Sequence, residues 1–229
     1  MTQPIRLWDL PTRLFHWLLV AAMGAAWASG EIGGNWMVWH GRIGLFIVGL
    51  IGFRLAWGVI GSTYARFATF VRGPASIRAY LKGEWHGLGH NPLGALSVLG
   101  LLALVALQAG LGLFAYNDDI SFGGPFYARV TSDCSNLFTK LHHRTFNVLL
   151  LLIVLHIAAI LFYAHVKKDN LVKPMLTGTH EGTPDQAATG GGAIAVIAAL
   201  LIACVAVYGA SGAWLPDPPP PAATPTPNW

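Results

Sequence analysis

Five stretches of this chain are apolar over lengths that a soluble core of this size cannot bury: residues 13–30, 38–60, 93–115, 142–165 and 191–214. Each reaches or approaches the ~20 residues that a helix rising 1.5 Å per residue needs to cross ~30 Å of hydrocarbon. The runs are continuous, not alternating, so they read as helices and not as barrel strands. Charged residues make up 10% of the chain, against about 25% in ordinary soluble domains, which leaves too little polar surface to cover a globule. The expected fold class is an all-α membrane protein, a four-helix transmembrane bundle with a fifth transmembrane helix appended.

The formal charge of +4 does not point to nucleic acid, because the cations fall in loops between the apolar runs, where they set orientation. Arg6, Arg13, Arg66, Arg72, Arg78, Lys82, Lys167, Lys168 and Lys173 collect on one side, against Arg129 and Lys140 on the other. That asymmetry predicts a cytoplasmic N-terminus, with the loops near 31–37 and 116–141 and the C-terminal tail outside. The stretch ending Ala26-Trp27-Ala28 has the look of a cleavable signal, but the long amphipathic lead-in and His16 oppose cleavage.

Domain organisation follows from composition. Residues 1–178 form the four-helix unit, and 179–190, rich in glycine and threonine, read as a linker. Residues 191–214 form the fifth helix, and 215–229, with seven prolines, read as an extended periplasmic tail. Cys134 and Cys204 are far apart and make no Cys-x-x-Cys pair, which excludes the Cys-x-x-Cys-His site of covalent haem attachment.

The chemistry lies in the nine histidines, since an ionisable residue inside a membrane helix is a functional candidate by default. His16 lies near the cytoplasmic mouth of the first run and His40 near the outer mouth of the second. The fourth run carries His142 at its outer start and His156 fourteen residues later, about 21 Å along the axis and within about 40° of the same face. His142 therefore matches His40 at an outer level, and His156 matches His16 at an inner one. Paired imidazoles are standard axial ligands of haem iron, so the bundle is expected to bind two haem groups noncovalently. His143 sits on roughly the opposite face and is the weaker ligand, although an irregular helix start would leave it as an alternative to His142.

Arg54 lies fourteen residues after His40, at the inner depth. Arginine binds carboxylates bidentately, so Arg54 is a candidate for haem propionates, with snorkelling to the headgroups as the alternative. Arg42 and Arg144 lie similarly close to the outer level. Gly41, Gly44, Gly49 and Gly52 would let a flat macrocycle or another helix approach the second run. His86 and His90, at the cytoplasmic mouth of the third run, are candidates for a quinone site, with His165 nearby. Asp118, Asp119 and Asp133 form an external acidic group suited to docking a basic cytochrome c.

Several blocks resemble one family. The segment from Arg6 to Trp17 (RLWDLPTRLFHW), Trp39-His40-Gly41-Arg42, Arg54 through Phe67, Gly89-His90-Asn91-Pro92-Leu93-Gly94, and Leu141-His142-His143 through His156 are similar to those of bacterial cytochromes b561, which include hydrogenase-type b subunits. The likeness covers roughly residues 5–178. It implies a four-helix bundle with two b haems ligated by His16, His40, His142 and His156. It also implies electron exchange between the quinone pool, ubiquinone or another quinone, and a periplasmic redox protein such as cytochrome c or a hydrogenase-like subunit, in the inner membrane. Superoxide oxidation coupled to quinone reduction is the enzymatic alternative, and a haem-free membrane anchor or transporter is a third. The fifth helix and proline tail depart from the minimal family form.

Overall fold

The computed structural model describes residues 2–118 and 122–216. A short strand, β1 (Gln3–Arg6), leads into α1 (Leu10–Ile32). Asp9 starts α1: its carboxylate accepts the Thr12 amide at 2.7 Å, and Pro11 occupies the first turn, where a missing N–H costs nothing. Gly33 and Gly34, with φ of 67° and 52°, turn the chain back at angles that would strain any side chain. α2 (Trp36–Ile60) then runs antiparallel to α1.

The connection that follows holds α3 (Phe67–Phe70) and α4 (Pro74–Leu81). α5 (Pro92–Gly112) is capped by Asn91, whose Oδ1 accepts the Gly94 amide at 2.7 Å. The small ribbon β2 (Tyr116–Asn117) and β3 (Phe122–Gly123) separates it from α6 (Ser132–Phe162), which continues as one wide turn through Lys167. α7 (Val172–Thr177), β4 (Thr179–Gly182) and α8 (Ala193–Ser211) complete the described chain.

Among the described residues, four helices are long and apolar enough to cross a membrane: α2, α5, α6 with its continuation, and α8. α1 has 23 residues and the necessary length, but Arg13, His16, Ser29 and Glu31 make it less apolar. α6 starts ten residues before the expected run at 142. Thr131 caps it by accepting the Cys134 amide at 3.3 Å, and Asp133 in the first turn suits the helix dipole. The polar residues of this first part read as a loop, so His142 lies about three turns into the helix instead of at its mouth.

One apolar cluster joins α1, α2, α5 and α6 through Ala22, Ile47, Leu50, Leu102, Val105 and Leu149. A second, with Phe53, Trp57, Ala65 and Ala199, fastens α8 to α2. A Cβ on Gly49 would lie 2.8 Å from Val207, and one on Gly52 would lie 3.0 Å from Ala206. Those two glycines therefore serve close helix packing. Leu151, Val154 and Leu155 on α6, and Ile194, Leu201 and Val205 on α8, remain exposed, as side chains facing lipid do.

Residues 179–190, expected as a linker, are held against the start of the chain. β4 pairs antiparallel with β1, Gln3 opposite Gly182 and Arg6 opposite Thr179. The Arg6 guanidinium donates to the Ala188 carbonyl at 2.7 Å, and the Ala188 amide donates back to the Arg6 carbonyl at 2.7 Å. The proline-rich tail beyond Pro216 and Asp119 lie outside the described residues.

Candidate functional site

The outer level is built from three helices. His40, in the second turn of α2, places its ring centroid 6.0 Å from that of His142 on α6. Two imidazoles sharing a metal through nitrogens ~2 Å from it have centroids roughly 6–6.5 Å apart, so the spacing suits a common ligand. Nδ1 of His40 lies 2.9 Å from the Ala26 carbonyl of α1, and Nδ1 of His142 lies 2.9 Å from the Gln108 carbonyl of α5. A carbonyl only accepts, so each Nδ1 carries the proton. Each Nε2 then keeps its lone pair, the form in which imidazole binds a metal. The Gln108 side-chain amide, 3.1 Å from Nε2 of His142, donates to that lone pair, in keeping with this tautomer. His143, about 100° further round α6, is exposed, which favours His142 as the residue facing His40.

At the inner level His16 stands in the second turn of α1, edge-on to Trp17 at 4.9 Å. Its Nδ1 is buried without a hydrogen-bond partner. His156 lies within electrostatic range of it. Arg54 is only 3% exposed. Its Nη1 donates to the Ala65 carbonyl at 3.1 Å, and the guanidinium lies 4.7 Å from the Phe67 ring centre and 6.0 Å from that of Phe15. A lone buried cation is costly, and Asp9 offsets it electrostatically.

His90, between the α3–α4 connection and α5, packs against Trp8 and Phe70 with centroids 4.7 Å away in each case. Its Nδ1 has no partner. Burial, then the charges of Arg54 and His156, push its pKa down to about 4, so the ring is neutral at physiological pH. It opens on a cleft of about 440 Å³ lined by Thr63, Tyr64, Thr69, Phe70 and Arg72. The other expected residues are not gathered in this way. His86, Arg42 and Arg144 are exposed, and Arg42 lies over Trp39 at 5.0 Å.

Two contributors escaped the sequence reading. Gln108 is the one carboxamide in a helix whose other polar side chain is Ser97, a signal that a buried partner exists. Asp9 accepts from Thr12, from Trp57 Nε1 at 3.0 Å and from the Ser62 hydroxyl. It clamps the start of α1 to the end of α2.

Among the described residues no group of three or more His, Cys, Asp or Glu side chains gathers as a metal cage would. Haem needs only two axial side chains, because the macrocycle supplies the other donors. The paired imidazoles with unprotonated Nε2 atoms, that of His142 accepting from the Gln108 amide, the orphaned Nδ1 of His16 and the buried, unpartnered Oε1 of Gln108 fit such a group. The family model of prokaryotic cytochrome b561 matches residues 7–178, a range holding every residue of both levels and ending before α8. Comparison with curated proteins and with solved structures gives no match.

Proposed function

The chain belongs to the prokaryotic cytochrome b561 family and is a haem b-binding membrane protein of electron transfer; on that premise we propose that it is a dihaem conduit between the quinone pool and a periplasmic redox partner. The observation that carries this reading is the His40–His142 pair at 6.0 Å, each ring hydrogen-bonded through Nδ1 to a neighbouring helix. His16 and His156 form the second couple, about 21 Å further along α6. Haem supplies reversible one-electron exchange at its iron.

The protein's own groups do the rest. Two histidines per site would hold the iron and leave it no open position for oxygen. Arg54 holds a buried positive charge at the inner level, where it would meet propionates. The His90 cleft offers a quinone ring a neutral imidazole, the Tyr64 hydroxyl and the threonines as hydrogen-bonding groups, between apolar walls.

Strand pairing supports the topology. β1 and β4 share one side of the bilayer, so the chain between them crosses an even number of times. α2, α5 and α6 make three crossings and α1 supplies the fourth. α8 then adds a fifth, and the cation asymmetry assigns the N-terminal side to the cytoplasm.

Reduced-minus-oxidised spectra with haem quantitation test the reading. Two b haems per chain, both reduced by a quinol, are expected. His90→Ala should keep both pigments and slow that reduction at least tenfold. A single haem, or quinol reduction indifferent to His90, would count against it.

A further inference from the structure

Each outer histidine meets its neighbouring helix in the same way. The carbonyl that receives His40 Nδ1 belongs to Ala26, and four residues on is Gly30. The carbonyl that receives His142 Nδ1 belongs to Gln108, and four residues on is Gly112. In a helix the carbonyl of residue i already accepts the amide of residue i+4. The Ser29 hydroxyl, on the same helix, also donates to the Ala26 carbonyl at 3.0 Å, but a donor from a facing helix approaches over residue i+4, where any side chain stands in the way. A Cβ on Gly30 would lie 3.2 Å from His40 Nδ1, and one on Gly112 would lie 3.1 Å from His142 Cε1. Both contacts are tighter than an ordinary van der Waals approach, and each falls on the ring itself.

Neither glycine is needed for backbone reasons. Gly30 and Gly112 are absent from the positive-φ residues and sit within α1 and α5, where alanine is the better helix former. Gly24 and Gly110, on the same two helices, have nothing within 4 Å of a Cβ. We propose that Gly30 and Gly112 are positioning residues of the outer site. With the carbonyls of Ala26 and Gln108 they form two seats that fix ring orientation and hold the proton on Nδ1, leaving Nε2 to the metal. The seats rest on the reading of His40 and His142 as haem ligands. Partners of a ligating imidazole fix its tautomer, and losing one typically weakens metal binding about 10- to 100-fold.

The test compares Gly30→Ala, Gly112→Ala, Gly24→Ala and Gly110→Ala in the full-length protein, with His142→Ala alongside. Haem per chain and the low-temperature electron paramagnetic resonance signal of each haem are the readouts. Gly30→Ala and Gly112→Ala should each perturb the outer signal and weaken outer haem retention about 10- to 100-fold, with the inner signal unchanged. Gly24→Ala and Gly110→Ala should match the parent. Parental spectra in both seat variants would overturn the proposal. If His142→Ala removes one haem while the seat variants are silent, the seats fail alone; if it keeps both haems, the ligand reading fails. Should a seat variant not accumulate, electron–nuclear double resonance on the parent decides. A slowly exchanging Nδ1 proton on both outer ligands is expected, and rapid exchange into D2O on either would overturn the proposal.

Discussion

The imidazole of His142 stands 6.0 Å from that of His40, whereas the next residue, His143, about 100° further round the same helix, is exposed. Replacing His142 with alanine should remove the outer haem and spare the inner one, and replacing His143 should leave both. Pigment content per chain distinguishes the two variants, and equal loss from both would refute this assignment.

His156 belongs to the other level. His156→Ala is expected to halve the haem content while the outer couple keeps its spectrum. Retention of two haems per chain would show that His156 is not a ligand.

Arg54 holds its charge in a nearly closed site. A nearby cation favours the reduced form of a redox centre, so Arg54→Ala should lower the midpoint potential of the inner haem, by on the order of tens of millivolts. A redox titration reads this directly, and an unchanged inner potential would argue against a propionate role.

Asp9 caps α1 and accepts from Trp57 and Ser62 at once. Asp9→Ala removes a cap worth about 0.5–2 kcal/mol and leaves buried donors unpaired at about 1–3 kcal/mol each. A loss of at least about 2 kcal/mol is expected, read as a lower thermal midpoint in detergent. Asp9→Asn, which retains the cap, should lose less.

His90 sets an acid limit. Its pKa is about 4 in the fold against 6.5 for an ordinary histidine, through burial first and then the charges of Arg54 and His156. Above pH 6.5 both states are neutral there and the residue has no pH effect. Between 6.5 and 4 the unfolded chain binds the extra proton, so stability falls as pH falls, by on the order of 3 kcal/mol at the lower limit. Thermal unfolding from pH 7 to 4 should show His90→Gln losing less stability than the parent. Parallel curves would remove His90 as the cause.

What the sequence made legible was what periodic spacing carries. The fourteen residues between His142 and His156 fix both on one side of a helix, whatever the rest of the fold does. Depth counting paired His40 with His142 because crossing a bilayer leaves little freedom in where a residue stands. The start of α6 was hidden, since Ser132 to Lys140 resemble a loop until Thr131 is seen capping them. Partners remote in sequence were hidden as well. Nothing near Gln108 announces an imidazole opposite it, and the partner of β1 is β4, just past the far end of the matched range. Gly49 and Gly52 were ambiguous between macrocycle and helix, and only the position of Val207 and Ala206 resolves them.

Arg6 and Ala188 exchange hydrogen bonds although 182 positions separate them. The two residues flank α1 to α7 in the chain, so this seam can close only after all of those helices have been made. It then ties together the two edges of the four-helix unit, ahead of α8.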